Sequence, residues 1–157
     1  MHKALLTLAL SLGGLTGSNA ENILDAENAI KNGAPLAAYQ HLAPHPLYPY
    51  LQARAYRDDP ATPVETIVAF LKQYPADPFS TQLAKQKFPQ WLTSGNNDAI
   101  IAAYSAGYAD AGIECDYRLA QLNKNHTRAA TQKLDELWEQ DKKLDAECNA
   151  LFDRLAH

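Results

Sequence analysis

The chain has 157 residues, a length for one domain or a short array of repeats. Its 14 Lys and Arg against 18 Asp and Glu leave a formal charge of −4, too mild and too evenly spread for a polyanion binder, so nucleic acid is excluded as a first reading. Alanine and leucine supply 48 residues while valine and isoleucine supply only 8. The β-branched side chains that fill pleated faces are therefore scarce, and the class is all-α.

Lys3 gives a short basic start, and Ala4 to Leu15 is apolar apart from Thr7, Ser11 and two glycines. Thr16-Gly17-Ser18-Asn19-Ala20 then places small residues where a signal peptidase reads them. The pattern predicts a leader over residues 1–20, cleaved after Ala20, with a buried N-terminal helix as the alternative. Export to the periplasm of a domain over residues 21–157 follows. A permanent membrane helix needs about 20 apolar residues, which neither this run nor any later one supplies, so no membrane insertion is expected after cleavage.

All nine prolines lie between Pro35 and Pro89, dividing the exported chain into a punctuated half of short helices and a half of longer ones. Ile23, Ala26 and Ile30 mark one face of a first helix, with Gly33 in the left-handed cap position and Pro35 in the first turn of the next helix. That second helix carries Leu36, Tyr39 and Leu42. Pro46 to Arg57 then brings Leu47, Tyr50, Leu51 and Ala55 together. Thr62, Pro63 and Glu65 spell a capping box ahead of Val64, Ile67, Val68 and Leu71. Asp77 and Pro78 open a helix with Phe79, Leu83, Phe88, Trp91 and Leu92, bent or interrupted at Pro89 and ended by Gly95. Asn97 caps a helix burying Ile100, Ile101, Tyr104 and Tyr108, and Gly112 separates it from one beginning near Glu114.

The C-terminal part contains an echo. Glu114-Cys115-Asp116 recurs 33 residues later as Glu147-Cys148-Asn149, and Leu119 and Leu122 answer Phe152 and Leu155. A helix over Thr127 to Gln140, with Ala130, Leu134, Leu137 and Trp138 inward, separates the copies. Helix, turn and helix near a 34-residue period is the spacing of a tetratricopeptide-like solenoid, in which each hairpin buries its apolar face on a neighbour. A compact non-repeating bundle is the alternative. The last helix, over Asp145 to Ala156, lacks a partner. Its Cys148, Leu151, Phe152 and Leu155 side either packs back onto the array or forms a candidate partner surface.

Cys115 and Cys148 occupy equivalent positions on neighbouring helices, within reach of a disulfide. Two buried thiols are the alternative, and a redox pair fits least, since no Cys-x-x-Cys and no adjacent basic group is present. His41 and His45 lose their helical spacing to Pro44 and Pro46, so no metal site is read from them, nor from His126 and His157. Among the glutamates, Glu65, Glu114 and Glu147 sit at helix starts, where carboxylates help locally. Glu136 and Glu139 mark a wet face, and Glu21 and Glu27 lie near the start of the exported chain. No catalytic pair and no cofactor motif emerges. The aromatics read as seam packing, with a sugar platform as the alternative. Arg54, Arg57, Lys85, Lys87, Arg118, Lys124 and Arg128 are candidates for a basic patch.

The stretch His45-Pro-Leu-Tyr-Pro-Tyr-Leu-Gln-Ala-Arg54, followed by Asp58-Asp59, resembles the start of the superhelical domain of soluble lytic murein transglycosylases. The resemblance runs through Ala69-Phe-Leu-Lys-Gln-Tyr-Pro75, the Phe88 to Trp91 region and Glu114-Cys-Asp-Tyr117 to the Cys148-Asn-Ala-Leu-Phe152 stretch. It implies a right-handed superhelical array of short helical hairpins, a periplasmic address, a Cys115–Cys148 pairing, and peptidoglycan or a periplasmic wall enzyme as partner. The family's catalytic Glu-Ser pair and Gly-Leu-Met-Gln run have no counterpart, and the only methionine is Met1. No catalytic residue carries over. The expectation is a non-catalytic module of cell-wall turnover. The alternatives are an adaptor or inhibitor of a lytic transglycosylase, or the remnant of a truncated transglycosylase gene.

Overall fold

The computed structural model describes residues 19–140 and 146–156, and every regular element among them is helical. Helix α1 (Asn19–Lys31) leads through a 3₁₀ helix (Leu36–Leu42) to α2 (Tyr48–Asp58), α3 (Val64–Gln73) and α4 (Pro78–Thr93). Then come α5 (Asn97–Ala103), α6 (Ala111–Asn123), α7 (Thr127–Thr131), α8 (Leu134–Gln140) and α9 (Ala146–Leu155). The expected leader lies outside the described residues except for Asn19 and Ala20, which begin α1. No described helix is long and apolar enough to cross a membrane.

The packing follows chain order. Helix α1 lies against α2, α2 against α4, α4 against α6 and α6 against α9, while α3 packs on α5 and α5 on α4 and α6. The apolar spacing of each helix dictates the faces used. Ile23, Ala26 and Ile30 join Leu42, Tyr48, Leu51 and Ala55 in an N-terminal cluster. Ile67, Phe70, Leu71, Leu83, Phe88, Trp91, Ile100 and Ile113 form the central core, where Phe70 meets Tyr56, Tyr74 and Phe79 edgewise or tilted. These aromatics fill seams between helices.

Three helices end in the same way. After α1, α4 and α6 the chain turns left-handed at Gly33 (φ 93), Gly95 (φ 77) and Asn125 (φ 61). In each case the next amide reaches back to the last turn: Ala34 to Ala29 O at 2.9 Å, Asn96 to Trp91 O at 2.8 Å and His126 to Gln121 O at 2.8 Å. This backbone pairing satisfies carbonyls that a helix end leaves open.

Several local expectations are corrected. Pro35 stands before the 3₁₀ helix in extended backbone rather than inside its first turn. The Thr62 capping box does not form: its hydroxyl donates to Asp59 Oδ2 at 3.3 Å, within a turn that also ties the Ala61 amide to Asp59 Oδ1. Leu47 is 54% exposed instead of packing with Leu51. Helix α4 runs unbroken through Pro89, because buried Phe88 and Trp91, stacked at 5.7 Å, hold both sides of the proline in one helix against its cost of about 3 kcal/mol. Asn96, not Asn97, precedes α5, and Gly112 lies buried inside α6, which starts at Ala111. Tyr108 is buried although α5 ends at Ala103, because the following loop folds back and its hydroxyl donates to Ala103 O at 2.6 Å.

The single helix expected over Thr127 to Gln140 is two. The chain breaks at Lys133, whose φ is 53. Arg118 on α6 donates through Nη1 to Ala130 O at 2.8 Å and Gln132 O at 2.7 Å, taking up carbonyls at the end of α7. Ala130 and Leu137 are buried as expected, and the Trp138 side chain lies outside the described residues.

Candidate functional site

Helix α6 organises a polar cavity. Asp110 caps its start, accepting from the Ile113 amide at 3.1 Å and pairing with Lys85 at 2.5 Å. Glu114 follows in the first turn and Arg118 a turn later, so the i,i+4 spacing brings guanidinium to carboxylate at 2.7 Å through Nε and Glu114 Oε1. The other carboxylate oxygen accepts from the Tyr104 hydroxyl. Tyr104 stacks on Tyr117 with ring centroids 3.9 Å apart, fixing the ring that carries this donor. Burial, and then the hydrogen bond to Glu114, raise the Tyr104 hydroxyl above the usual tyrosine range, so it stays a donor at physiological pH.

Lys133 and Glu136, paired at 3.0 Å, close the far side from α8 and the turn before it. The space between has a volume of about 370 Å³ and is lined by Tyr104, Asp110, Glu114, Arg118, Lys133 and Glu136, among others. Small-molecule sites fall in the range of about 300–1,000 Å³. Arg118 is 8% exposed, so this is a held guanidinium rather than a waving surface one. The chemistry on offer is recognition of charge: a fixed donor plane, a hydroxyl and three carboxylates. Glu114 accepts two strong hydrogen bonds, which differs from the apolar surroundings that make a carboxyl a general acid.

Glu114 thus has a larger part than a local one at a helix start, and Glu136 is on a cavity wall. Glu65 stays in the exposed first turn of α3, and Glu27 accepts from the Tyr50 hydroxyl at 2.5 Å. The side chains of Glu21, Glu139 and Glu147 lie outside the described residues. His41 is exposed, His45 Nδ1 accepts from the Leu47 amide at 3.1 Å, and His126 Nδ1 meets Gln121 Oε1 at 2.7 Å. His157 is outside the described residues. No cluster of three or more His, Cys, Asp or Glu suited to a metal occurs among the described residues.

Of the seven basic candidates, five are paired with acids, and Arg128 lines a shallow hollow with Asn125, His126 and Gln132. Arg54 and Arg57 turn to Asp58, Lys85 to Asp110, Lys124 to Asp98 and Arg118 to Glu114. Lys87 is buried, and desolvation lowers its ammonium below the usual lysine value.

Cys115 and Cys148 are joined by a disulfide, their Cα atoms 5.2 Å apart. Of the expected partner surface, Cys148 and Leu151 are 0% exposed, folded against α6 with Cys115 and Leu137. Phe152 and Leu155 remain half-buried at the edge of that cluster, beside Leu119 and Leu122 on α6. The last helix packs back, since half its apolar stripe would otherwise meet water.

The Tyr104–Glu114–Arg118 unit is the feature sequence reasoning missed. The Glu114 to Arg118 spacing was visible, whereas Tyr104, ten residues earlier and across a loop, carried no signal. Compared with protein families, with curated proteins and with solved structures, the chain matches none.

Proposed function

We propose that this protein is a non-catalytic periplasmic helical-repeat module of peptidoglycan turnover, acting by docking to the wall or to a wall enzyme. The reading combines the Pro46-to-Leu51 resemblance to lytic transglycosylase superhelical domains with one structural observation. Helices α2, α4, α6 and α9 pack side by side in chain order, each burying its apolar face on the next. That is the nearest-neighbour logic of a solenoid, and a right-handed tetratricopeptide-like superhelix is its finer form. The cysteines tie repeat-equivalent positions on α6 and α9, 33 residues apart. The protein would bring a recognition surface to the wall without cutting it.

Co-sedimentation with purified peptidoglycan sacculi tests this reading, with the supernatant assayed for anhydro-muropeptides. Saturable binding without released product is the expected result. Absence of binding removes wall docking and leaves a protein-facing adaptor, whereas release of anhydro products overturns the non-catalytic reading.

A further inference from the structure

We infer that the cavity between the α5–α6 loop and α8 binds a free α-amino-acid group, an ammonium and a carboxylate on one carbon, presented by a short peptide or a diamino acid. Three observations carry this. The lining holds both signs of charge at close quarters: Asp110, Glu114 and Glu136 against Arg118 and Lys133. Two of these pairs, Glu114 with Arg118 and Glu136 with Lys133, neutralise one another within the lining, so a ligand of single charge brings an uncompensated charge into it. A zwitterion adds to both halves without leaving either unpaired.

Arg118 supplies the second observation. Its Nε and Nη1 are committed to Glu114, Ala130 and Gln132, which lock the guanidinium plane. Arg118 also lines the cavity, and its other amino group, Nη2, is the donor the inference gives to a ligand carboxylate. A guanidinium held by its own protein bonds loses little freedom when the ligand arrives. The third observation is the acceptor capacity left on two carboxylates. Asp110 pairs outward with Lys85, which does not line the cavity, and Glu114 takes one donor on each oxygen, from Arg118 and from Tyr104. The remaining lone pairs of Glu114 and Asp110 accept from an ammonium, with Tyr104 holding the Glu114 carboxylate in place.

On the wall-docking reading, on which this last identification rests, the ligand is the un-crosslinked diamino acid of a stem peptide, whose far end is such a group. The recognised part is then peptide and not glycan.

The experiment is an amide-resolved NMR titration of the disulfide-bonded full chain with meso-diaminopimelate. Pimelate, cadaverine and a chitin tetrasaccharide serve as probes lacking one or both charges. Saturable shifts at Ala109 to Glu114 and Lys133 to Leu137 are expected with diaminopimelate. Pimelate and cadaverine should bind about tenfold or more weakly, since each answers only one sign of charge in the lining. Glu114→Gln keeps the shape of the side chain and should weaken diaminopimelate by a similar factor while the amide spectrum stays folded. Arg118 is left intact because it also holds α7. Equal binding of pimelate, or shifts confined to other residues, overturns the inference. Sacculi that sediment the protein while diaminopimelate leaves these amides unmoved overturn it too, and leave wall docking standing. Diaminopimelate bound here without sedimentation keeps the site and removes wall docking.

Discussion

Arg118 answers to more structure than any other charged side chain described. One guanidinium neutralises Glu114, ends α7 through two carbonyls and forms part of the cavity lining. Removing it leaves a half-buried carboxylate and two carbonyls short of donors, and breaking a buried pair from one side typically costs about 3–5 kcal/mol. Arg118→Leu should therefore destabilise the protein by about 3 kcal/mol in urea unfolding. Lys124→Ala, which removes the exposed pair with Asp98, should change stability by less than about 0.5 kcal/mol. Similar midpoints for the two variants would show that the guanidinium is not what holds α7.

Tyr104 and Tyr108 extend the argument to pH. Burial raises both hydroxyls above the usual tyrosine value of 10.0, so the folded state favours their neutral forms. Their contribution is fully present below the unfolded tyrosine value and is lost as pH rises from there toward the folded values. Stability should fall between pH 10 and 12, and in an absorbance titration these two tyrosines should ionise last, only as the fold opens. A titration in which all eight tyrosines ionise together near pH 10 in the folded protein would contradict this.

At the scale of elements, what the sequence made legible was whatever a few adjacent residues decide. The Ile23, Ala26, Ile30 stripe, the left-handed cap at Gly33, the helix end at Gly95 and the Asp77-Pro78 start all obey local rules, and they are found where those rules put them. The misses were settled by contacts that the apolar periodicity does not show, some of them local and some far along the chain. Thr62 turned to Asp59 rather than to its own helix, the core contacts of Phe88 and Trp91 carried α4 through Pro89, and Arg118 accompanies a break in the Thr127 to Gln140 helix that its periodicity does not show. The candidate site was half legible for the same reason: Glu114 and Arg118 share one helix, and Tyr104 does not.

The glycines separate two kinds of constraint. At Gly95 the left-handed backbone is the whole difficulty, because an added Cβ meets nothing within 4 Å. Gly95→Ala should cost about 1 kcal/mol, the ordinary penalty of that conformation. At Gly107 a Cβ would stand 2.5 Å from Pro75 O, a backbone atom that cannot swing aside. The loop there is also tied by Ser105 Oγ donating to Pro75 O at 2.8 Å. Gly107→Ala should cost more than Gly95→Ala, toward the upper end of the about 1–3 kcal/mol typical of overpacking. Thermal melts of the two variants give the order directly.

Across the whole molecule, stability is distributed along the chain rather than gathered in one centre. The N-terminal and central clusters and the one beneath α9 are distinct, and α9 reaches the rest chiefly through α6. Such an array opens from its ends, because a terminal helix has one neighbour where an inner one has two. Helix α9 has few large side chains to offer, with Leu151 fully buried and Phe152 and Leu155 half-buried. The disulfide makes up the difference by holding α9 near α6 in the unfolded chain as well as in the folded one. For a separation of 33 residues the chain-entropy relation gives about 4 kcal/mol. Both cysteines are buried, so a thiol reductant reaches the bond only after α9 has lifted. The double variant Cys115→Ser/Cys148→Ser should lose about 4 kcal/mol, and its loss should be uneven. Hydrogen exchange should speed up most across Ala146–Leu155, less in α6, and least in α3 and α4, whose contacts do not depend on the bond. Uniform loss of protection would mean that the chain unfolds as one cooperative block, and the end-opening array would have to be abandoned.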